Sequence, residues 1–189
     1  MEAFSRRDSS DSATSVSTRT IVVSGLLAAI QILLGLTGLG FIPLPTGVNA
    51  TILHIPAVIA GILEGPIAGI AVGLIFGLFS FLRATNPAFA DPLVAILPRL
   101  FPGLVAWLVF RALSRTSLPV AAAVAGALGT LTNTVLVLTM AVARGYFTPE
   151  FAFTVAGTNA PGELIVAAII TTAVVVAVAG RGRTRKSTV

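Results

Sequence analysis

The chain alternates long apolar segments with short breaks of turn-forming residues. The first segment covers about Thr20–Phe41 and ends at the cluster PLPTG, residues 43–47. The next, Thr51–Leu82, would be about 48 Å long as a single helix, whereas the hydrocarbon core of a bilayer is about 30 Å thick. Gly65 and Pro66 divide it, because Gly is favoured just past a helix end and Pro in the first turn of the next helix. The pattern predicts two helices joined by a tight hairpin there.

Three more apolar segments follow. Asp91 is a favourable N-cap before a helix that runs from Pro92 to about Leu113, and the fifth and sixth segments cover about Pro119–Ala143 and Pro161–Ala179. Segments two and three are short, and a five-span topology results if either fails to cross. We predict an all-α integral membrane bundle of six transmembrane helices. Its domain covers 19–180, flanked by a disordered polar tail at 1–18 and a basic tail at 181–189.

Composition supports membrane insertion and leaves little for catalysis. Of 189 residues, 56% are hydrophobic and only 10% are charged, whereas a soluble domain carries about a quarter charged residues. The chain has no cysteine, one histidine and only four acidic residues beyond the N-terminal tail. We therefore predict no catalytic residue and no metal site. The C-terminal GRGRTRKS lacks the second glycine of a phosphate-binding loop, so the chain is expected to carry no ATPase of its own.

The placement of basic residues predicts an orientation. With six spans, both termini lie on one side of the membrane, and that side collects nine of the twelve Lys and Arg residues. The positive-inside rule then places both termini in the cytoplasm of a multi-pass plasma-membrane protein. A five-span topology would separate the two basic termini, so the charges favour six. The net charge of +5 is attributed to this orientation and not to nucleic-acid binding. The nine residues are Arg6, Arg7, Arg19, Arg111, Arg115, Arg181, Arg183, Arg185 and Lys186.

Polar residues gather in the half of the bundle expected to face outside. Arg99 lies about seven residues into span four, a depth of roughly 10 Å. A cation at that depth usually faces the protein interior and marks a ligand site, the alternative being a side chain that snorkels to the interface. The inner halves of the spans are nearly apolar, which disfavours a continuous pore and favours a cavity open to the outside. The predicted substrate-binding residues are Arg99, Asn133, Asn159, Glu163, His54, Asn49 and Asn86.

Four of the other predicted site residues have a structural alternative. Asn133 lies on a small-residue face of span five and suits an interhelical hydrogen bond as well as a ligand contact. Asn159 and Glu163 share a face near the expected start of span six, where a carboxylate also caps a helix. His54 suits a buried structural imidazole. In span three, Gly65, Gly69, Gly73 and Gly77 form a ladder that predicts close helix packing.

Two blocks of sequence resemble a known family. TILHIPAVIAGILEGP (51–66) with the glycine ladder, followed by DPLVAILPRLFPG (91–103), is similar to the substrate-binding S components of energy-coupling-factor (ECF) vitamin transporters. Among these the blocks look most like the pantothenate-type members. Riboflavin, hydroxymethylpyrimidine and folate members share parts of the pattern, and a stand-alone carrier without ATPase partners is the alternative of another class. The aromatic content of 7% is low for a flavin or pterin site.

The resemblance implies a division of labour between subunits. The chain would lie in the lipid bilayer and capture a small vitamin from the extracellular side. It would bind no cofactor of its own. A transmembrane coupling subunit and two cytoplasmic ATPases of an ECF module would hydrolyse ATP to power uptake. In the family the first helix docks on the coupling subunit through Ala-x-x-x-Ala. This sequence departs from that motif and offers two pairs, Ser24 with Ala28 and Gly25 with Ala29, which either pack internally or face a partner.

Overall fold

The computed structural model describes residues 17–43, 48–84, 86–113 and 115–184, with side chains as far as Ala179. Residues 1–16 of the expected tail at 1–18, residues 185–189 of the expected tail at 181–189, and residues 44–47 of the PLPTG cluster lie outside the described residues. The described chain is all-α, as predicted, apart from one small β-hairpin that was not predicted. Its helices are α1 (Thr18–Thr37), α2 (Ile55–Glu64), α3 (Pro66–Leu82), α4 (Pro92–Ala95), α5 (Phe101–Ala112), α6 (Leu118–Ala143) and α7 (Pro149–Thr184).

This β-hairpin pairs strands β1 (Phe41–Ile42) and β2 (Ala50–Thr51) in antiparallel register, with Phe41 opposite Thr51. Four helical segments of the described chain are long and apolar enough to cross a membrane, namely α1, Pro92–Ala112, α6 and Pro149–Ala179. Helix α2, with 10 residues, is only about 15 Å long, and α3 has 17 residues. The helical membrane bundle is therefore supported, whereas length and composition identify four spanning helices and not six.

The hairpin between α2 and α3 forms where the sequence predicts it. Gly65 adopts φ 98°, a value that favours glycine, and its N–H donates to the Gly61 carbonyl at 3.0 Å. Glu64 accepts a hydrogen bond from Thr20 Oγ1 at 3.0 Å and pairs with Arg19 at 3.0 Å. These contacts tie the start of α1 to the end of α2. We call this the hairpin end of the bundle and the opposite end, which carries β1 and β2, the cavity end.

The fourth segment starts as predicted but is not one continuous helix. Asp91 caps α4 by accepting the Leu93 N–H at 2.9 Å. Pro98 has no N–H to donate to the carbonyl of Val94, four residues earlier, so the α-helical pattern fails there. A 3₁₀ turn over Leu97–Leu100 replaces it, in which the Arg99 N–H donates to the Ile96 carbonyl at 3.0 Å. Arg99 thus lies at a helix break and not on a regular helix face.

Glycines bring α3 very close to this broken segment, as the ladder predicts. A Cβ added at Gly69 would lie 2.9 Å from the Gly103 backbone, one at Gly77 would lie 2.8 Å from Ile96, and one at Gly73 would overlap the Arg99 carbonyl. Later residues of α3 contact earlier residues of the fourth segment, so α3 and the fourth segment are antiparallel. Direct backbone contact therefore fixes the position of Arg99.

The sixth segment begins earlier than the sequence predicts. Helix α7 begins at Pro149, twelve residues before the predicted start, and Pro161 lies inside it. Thr148 marks the true start, because its side chain accepts the Phe151 N–H at 3.3 Å and its carbonyl accepts the Ala152 N–H at 3.0 Å. The capping interpretation of Glu163 is therefore wrong, since Glu163 lies well within the helix.

We predict that Gly73→Ala destabilises the bundle by about 1–3 kcal/mol, because the added methyl group must displace the Arg99 backbone. Thermal unfolding in detergent micelles measures the effect. Gly157→Ala is the matched control: Gly157 is exposed in α7 with open space around its Cβ position, so this change should be neutral or slightly stabilising. Equal stability of the two variants would contradict the packing described for α3.

Candidate functional site

Two adjoining chambers open inside the cavity end of the bundle. The α3 chamber, of about 150 Å³, is lined by α3 residues such as Phe79, Ser80 and Arg83. The α6/α7 chamber, of about 50 Å³, is lined by polar residues of those two helices. Both volumes lie below the roughly 300–1,000 Å³ of sites for drug-sized ligands, so the space suits a small molecule. The residues shared by both walls are Val48, Asn49, Thr51, Phe76, Phe89 and Arg99.

Arg99 is the charged centre of this wall. Its side chain is 5% exposed, and Nη1 donates to the Val94 carbonyl at 2.6 Å, the same carbonyl that Pro98 leaves without a helical donor. Its guanidinium carbon lies 5.1 Å from the ring centre of Phe76 and 5.0 Å from that of Phe89. These contacts hold the group inside the bundle, so the snorkelling interpretation is wrong.

The positive charge of Arg99 is only partly compensated. Its Nε is buried without a hydrogen-bond partner, and no described acidic side chain forms a salt bridge with it. The carbonyl and the two ring faces stabilise a cation, but a buried charge normally requires a counter-charge as well. The geometry therefore leaves room for an anion beside Arg99.

Asn133 projects from the middle of α6 into the α6/α7 chamber. It is 7% exposed, and its Oδ1 is buried and accepts no hydrogen bond from the described residues. The interhelical hydrogen bond considered from the sequence is therefore not formed by this oxygen. An unsatisfied buried acceptor costs free energy, so Oδ1 is suited to a donor group of a ligand.

Glu163 and Asn159 line the same chamber but already have protein partners. Glu163 accepts the Thr51 N–H at 2.6 Å and the Thr134 hydroxyl at 3.0 Å. Asn159 Nδ2 donates to the Val48 carbonyl at 3.0 Å. Both side chains thus tie α7 to the segment around β2, which forms part of the wall of both chambers. They position this wall as well as facing the cavity.

Of the remaining predicted site residues, two lie in the cavity wall and one lies in the core of the bundle. Asn49 lines both chambers. Asn86 lines the α3 chamber and also accepts the Ala88 N–H at 3.0 Å, so it caps a 3₁₀ turn over Pro87–Ala90. His54 lines neither chamber: it is 1% exposed and its Nε2 lies 2.8 Å from the Thr130 hydroxyl. This matches the structural imidazole that was its alternative interpretation.

Several residues of the site were not recognised from the sequence. Phe76, Phe89 and Thr134 line the cavity, and only long-range packing brings the two rings to Arg99. Gln31, fully buried in the middle of α1, was also missed. In the amide orientation that satisfies it, Gln31 accepts the Phe76 N–H at 2.9 Å and thereby supports the helix carrying that ring. A lone glutamine in an apolar segment was the available signal.

An ion pair braces the cavity end. Arg144, at the end of α6, donates to Asp91 Oδ2 at 2.7 Å, and the Tyr146 hydroxyl lies 3.4 Å from the same oxygen. The hydrogen bond from Arg144 and that from the Leu93 N–H hold the pKa of Asp91 below its usual value. The predicted cap of the fourth segment is confirmed, and it also joins that segment to α6.

The structure separates the two small-residue pairs of α1. Ala28 is 5% exposed and packs against Ala57, Ala60 and Ala68, and Ser24 on the same face is half-buried. Gly25 and Ala29 are exposed, and no atom lies within 4 Å of a Cβ built at Gly25. The first pair therefore packs internally, whereas the second faces the surroundings of the bundle.

Comparison with known proteins identifies the family of this chain. A family model described as "ECF transporter, substrate-specific component" matches residues 19–179. The chain belongs to this family, the substrate-specific components of ECF transporters, and is a membrane transport protein. It is similar to the pantothenic acid transporter PanT of Lactococcus lactis subsp. cremoris (strain MG1363), with 30% identity over 156 residues that cover 69% of this chain and 78% of the relative.

The brace at Asp91 gives a pH-dependent prediction. Because the folded-state pKa of Asp91 is lowered, its carboxylate stabilises the fold above its ordinary pKa of about 3.9, and this stabilisation is lost as the pH falls through the folded-state value. Asp91→Asn keeps a capping oxygen but removes the charge. Its melting temperature should therefore be lower than that of the native protein at pH 7, and the difference between the two melting temperatures should become smaller towards pH 3.

Asp91→Ala, which removes both cap and charge, is the comparison variant and should be less stable than Asp91→Asn at every pH. Thermal unfolding in detergent between pH 3 and 7 measures all three proteins. If the difference in melting temperature between the native protein and Asp91→Asn stays constant across this range, the charge of Asp91 contributes nothing to stability.

Proposed function

We propose that this protein captures pantothenate from the extracellular side of the plasma membrane for ATP-driven uptake. The observation that carries the proposal is the buried guanidinium of Arg99, which has an unpartnered Nε and no acidic partner in the described chain. Pantothenate supplies the missing negative charge, and the similarity to a pantothenic acid transporter points to the same ligand. The proposed site comprises Arg99, Asn133, Asn159, Glu163, Asn49 and Asn86.

The shape and chemistry of the cavity support a small, flexible carboxylate. Two chambers of about 150 and 50 Å³ are small for a fused-ring vitamin. One face of each ring near Arg99 is taken by its guanidinium, which leaves less ring surface for stacking on a flavin or pterin. Riboflavin and folate are therefore less suitable ligands than pantothenate.

The proposed topology has six crossings with both termini in the cytoplasm. Helices α2 and α3 run in opposite directions through the hairpin at Gly65, and together with the four longer segments they would give an even number of crossings. The positive-inside rule then directs the hairpin end to the cytoplasm and the cavity end outwards. In this topology residues 19–180 form the binding domain, between the tails at 1–18 and 181–189.

The proposed partners are a transmembrane coupling subunit and two cytoplasmic ATPases, since the chain contains no phosphate-binding loop. Of the small residues of α1, Gly25 and Ala29 are exposed and allow another helix to approach closely. The exposed neighbours Ile21, Val22 and Leu26 would extend this contact face. We place the docking surface there, with the Ser24 and Ala28 face supporting it from inside.

Equilibrium binding of the purified protein to a panel of B vitamins tests the ligand. Isothermal titration should give submicromolar affinity for pantothenate and much weaker binding of riboflavin, hydroxymethylpyrimidine and folate. Absence of a submicromolar ligand from the panel would refute vitamin capture. Uptake by vesicles that contain this protein alone would instead favour a stand-alone carrier.

Arg99→Gln should weaken pantothenate binding by about 1.5–3 kcal/mol, because a charged hydrogen bond to the carboxylate is lost. Arg111→Gln is the matched control: it removes the same charge from α5 at the hairpin end, where the guanidinium lies 5.3 Å from the Trp107 ring centre. Its affinity should equal that of the native protein. Unchanged affinity in Arg99→Gln would remove Arg99 from the binding site.

Gly25→Leu should reduce co-purification of the coupling subunit several-fold while leaving pantothenate affinity unchanged, because the added side chain projects from the bundle without an internal clash. Gly157→Leu adds the same bulk at an exposed glycine of α7 that also has open space and should leave co-purification intact. Full recovery of the coupling subunit with Gly25→Leu would move the docking surface elsewhere.

A further inference from the structure

The α3 chamber contains two arginines and no acidic residue. Arg99 lies in its wall and Arg83, which follows the last residue of α3, lines it as well. The neighbouring polar residues Ser80 and Asn86 are uncharged. Residues 44–47 and Thr85, which flank this region in sequence but are not described, include no acidic residue either. The chamber therefore has a positive electrostatic potential.

None of the acidic residues of the described chain lines the α3 chamber. Glu64 pairs with Arg19 at the hairpin end, and Asp91 pairs with Arg144. Glu150 lies in the exposed first turn of α7, and Glu163 lines only the other chamber. Neither arginine of the α3 chamber forms a salt bridge within the part of the chain that the structure describes. Among the described residues no side chain supplies a negative charge to this chamber, so a ligand can supply it.

The α6/α7 chamber is less positive than the α3 chamber. It shares Arg99 with that chamber, but Glu163 adds a carboxylate, and Asn133 adds an oxygen that accepts no hydrogen bond from the described residues. A ligand carboxylate placed there would be repelled by Glu163, whereas hydroxyl groups could donate to these acceptors. The two chambers share the wall that carries Arg99, so one small molecule can extend from one into the other.

We propose that the ligand binds across both chambers in one orientation, with its carboxylate in the α3 chamber facing Arg99 and Arg83 and its hydroxyl-bearing end in the α6/α7 chamber. Arg83 is then a second anion-recognition residue. This inference rests on the proposed function, and it specifies how the site recognises the ligand. Pantothenate fits the polarity, since it carries a carboxylate at one end and two hydroxyl groups at the other.

The two arginines act differently because their exposure differs. Arg99 is 5% exposed and binds the carboxylate directly, whereas Arg83 is exposed at the mouth and acts through a partly hydrated contact. Interactions of exposed charges are weak and are screened by salt. An exposed cation at the mouth also raises the rate at which an anion enters. The contribution of Arg83 should therefore be modest and salt-dependent.

The test compares pantothenate with pantothenol, in which an alcohol replaces the carboxylate. Arg83→Gln should raise the Kd for pantothenate by about threefold to fivefold at low salt and less at high salt, because an exposed charge pair is lost. The Kd for pantothenol should change less than twofold, and Arg83→Lys should restore pantothenate binding. Arg115→Gln is the matched control, because it removes an exposed arginine from the loop after α5 at the hairpin end.

The outcomes separate this inference from the proposed function. Selective weakening of pantothenate in Arg83→Gln, with normal binding by Arg115→Gln, supports the orientation. Equal weakening of both ligands would mean that Arg83 only shapes the mouth, and no weakening would exclude it from recognition; either result overturns the inference while the proposed function stands. If the native protein binds neither ligand, the proposed function fails and the inference fails with it. Melting temperatures in detergent verify that each variant is folded.

Discussion

A guanidinium group buried among helices, with no acidic partner among the described residues, is the constraint on which the rest of this structure depends. Taking a charge out of water costs several kcal/mol unless other groups compensate it. The fold supplies three compensating groups for Arg99: the Val94 carbonyl and the faces of Phe76 and Phe89. Within the described part of the chain the Nε is still unpartnered. In the proposed function, an anionic ligand would compensate the remaining cost and gain affinity from doing so.

Each compensating group depends on a feature of the local sequence. Pro98 cannot complete the helical hydrogen bond to Val94, so the carbonyl is free for the Arg99 side chain. Gly73 lets α3 contact the Arg99 backbone directly, which brings Phe76 of the same helix to the guanidinium. The residues that interrupt the helix therefore also position the guanidinium of Arg99 and its neighbours. A regular helix in its place would satisfy its own carbonyls and leave the arginine without this acceptor.

Part of the cavity wall is held by two side chains that also face the cavity. Glu163 and Asn159 hold Thr51 and Val48, so the segment around β2 is tied to α7 by two hydrogen bonds. Their role is therefore double: they line the α6/α7 chamber and they position its wall. Replacing either residue would alter the shape of the cavity as well as its polarity, which is why Arg99 and Arg83 are better suited to test ligand recognition.

Local signals predicted much of this architecture. The cap at Asp91, the hairpin at Gly65 and the bounds of α6 follow from capping, turn and apolar patterns, and the depth of Arg99 indicated a buried cation. Helix α7 was misjudged because Pro161 is a strong start signal, whereas Thr148 and Pro149 mark the real start. The rings around Arg99 and the partners of Glu163 come from distant segments, and no local pattern encodes such contacts.

The central claim is that Arg99 receives its counter-charge from the ligand. A crystal structure of the protein with bound pantothenate tests it most directly. We predict that the pantothenate carboxylate lies within hydrogen-bond distance of the Arg99 guanidinium in the α3 chamber. A vitamin whose carboxylate lies out of hydrogen-bond reach of Arg99, or that binds outside both chambers, would contradict this assignment.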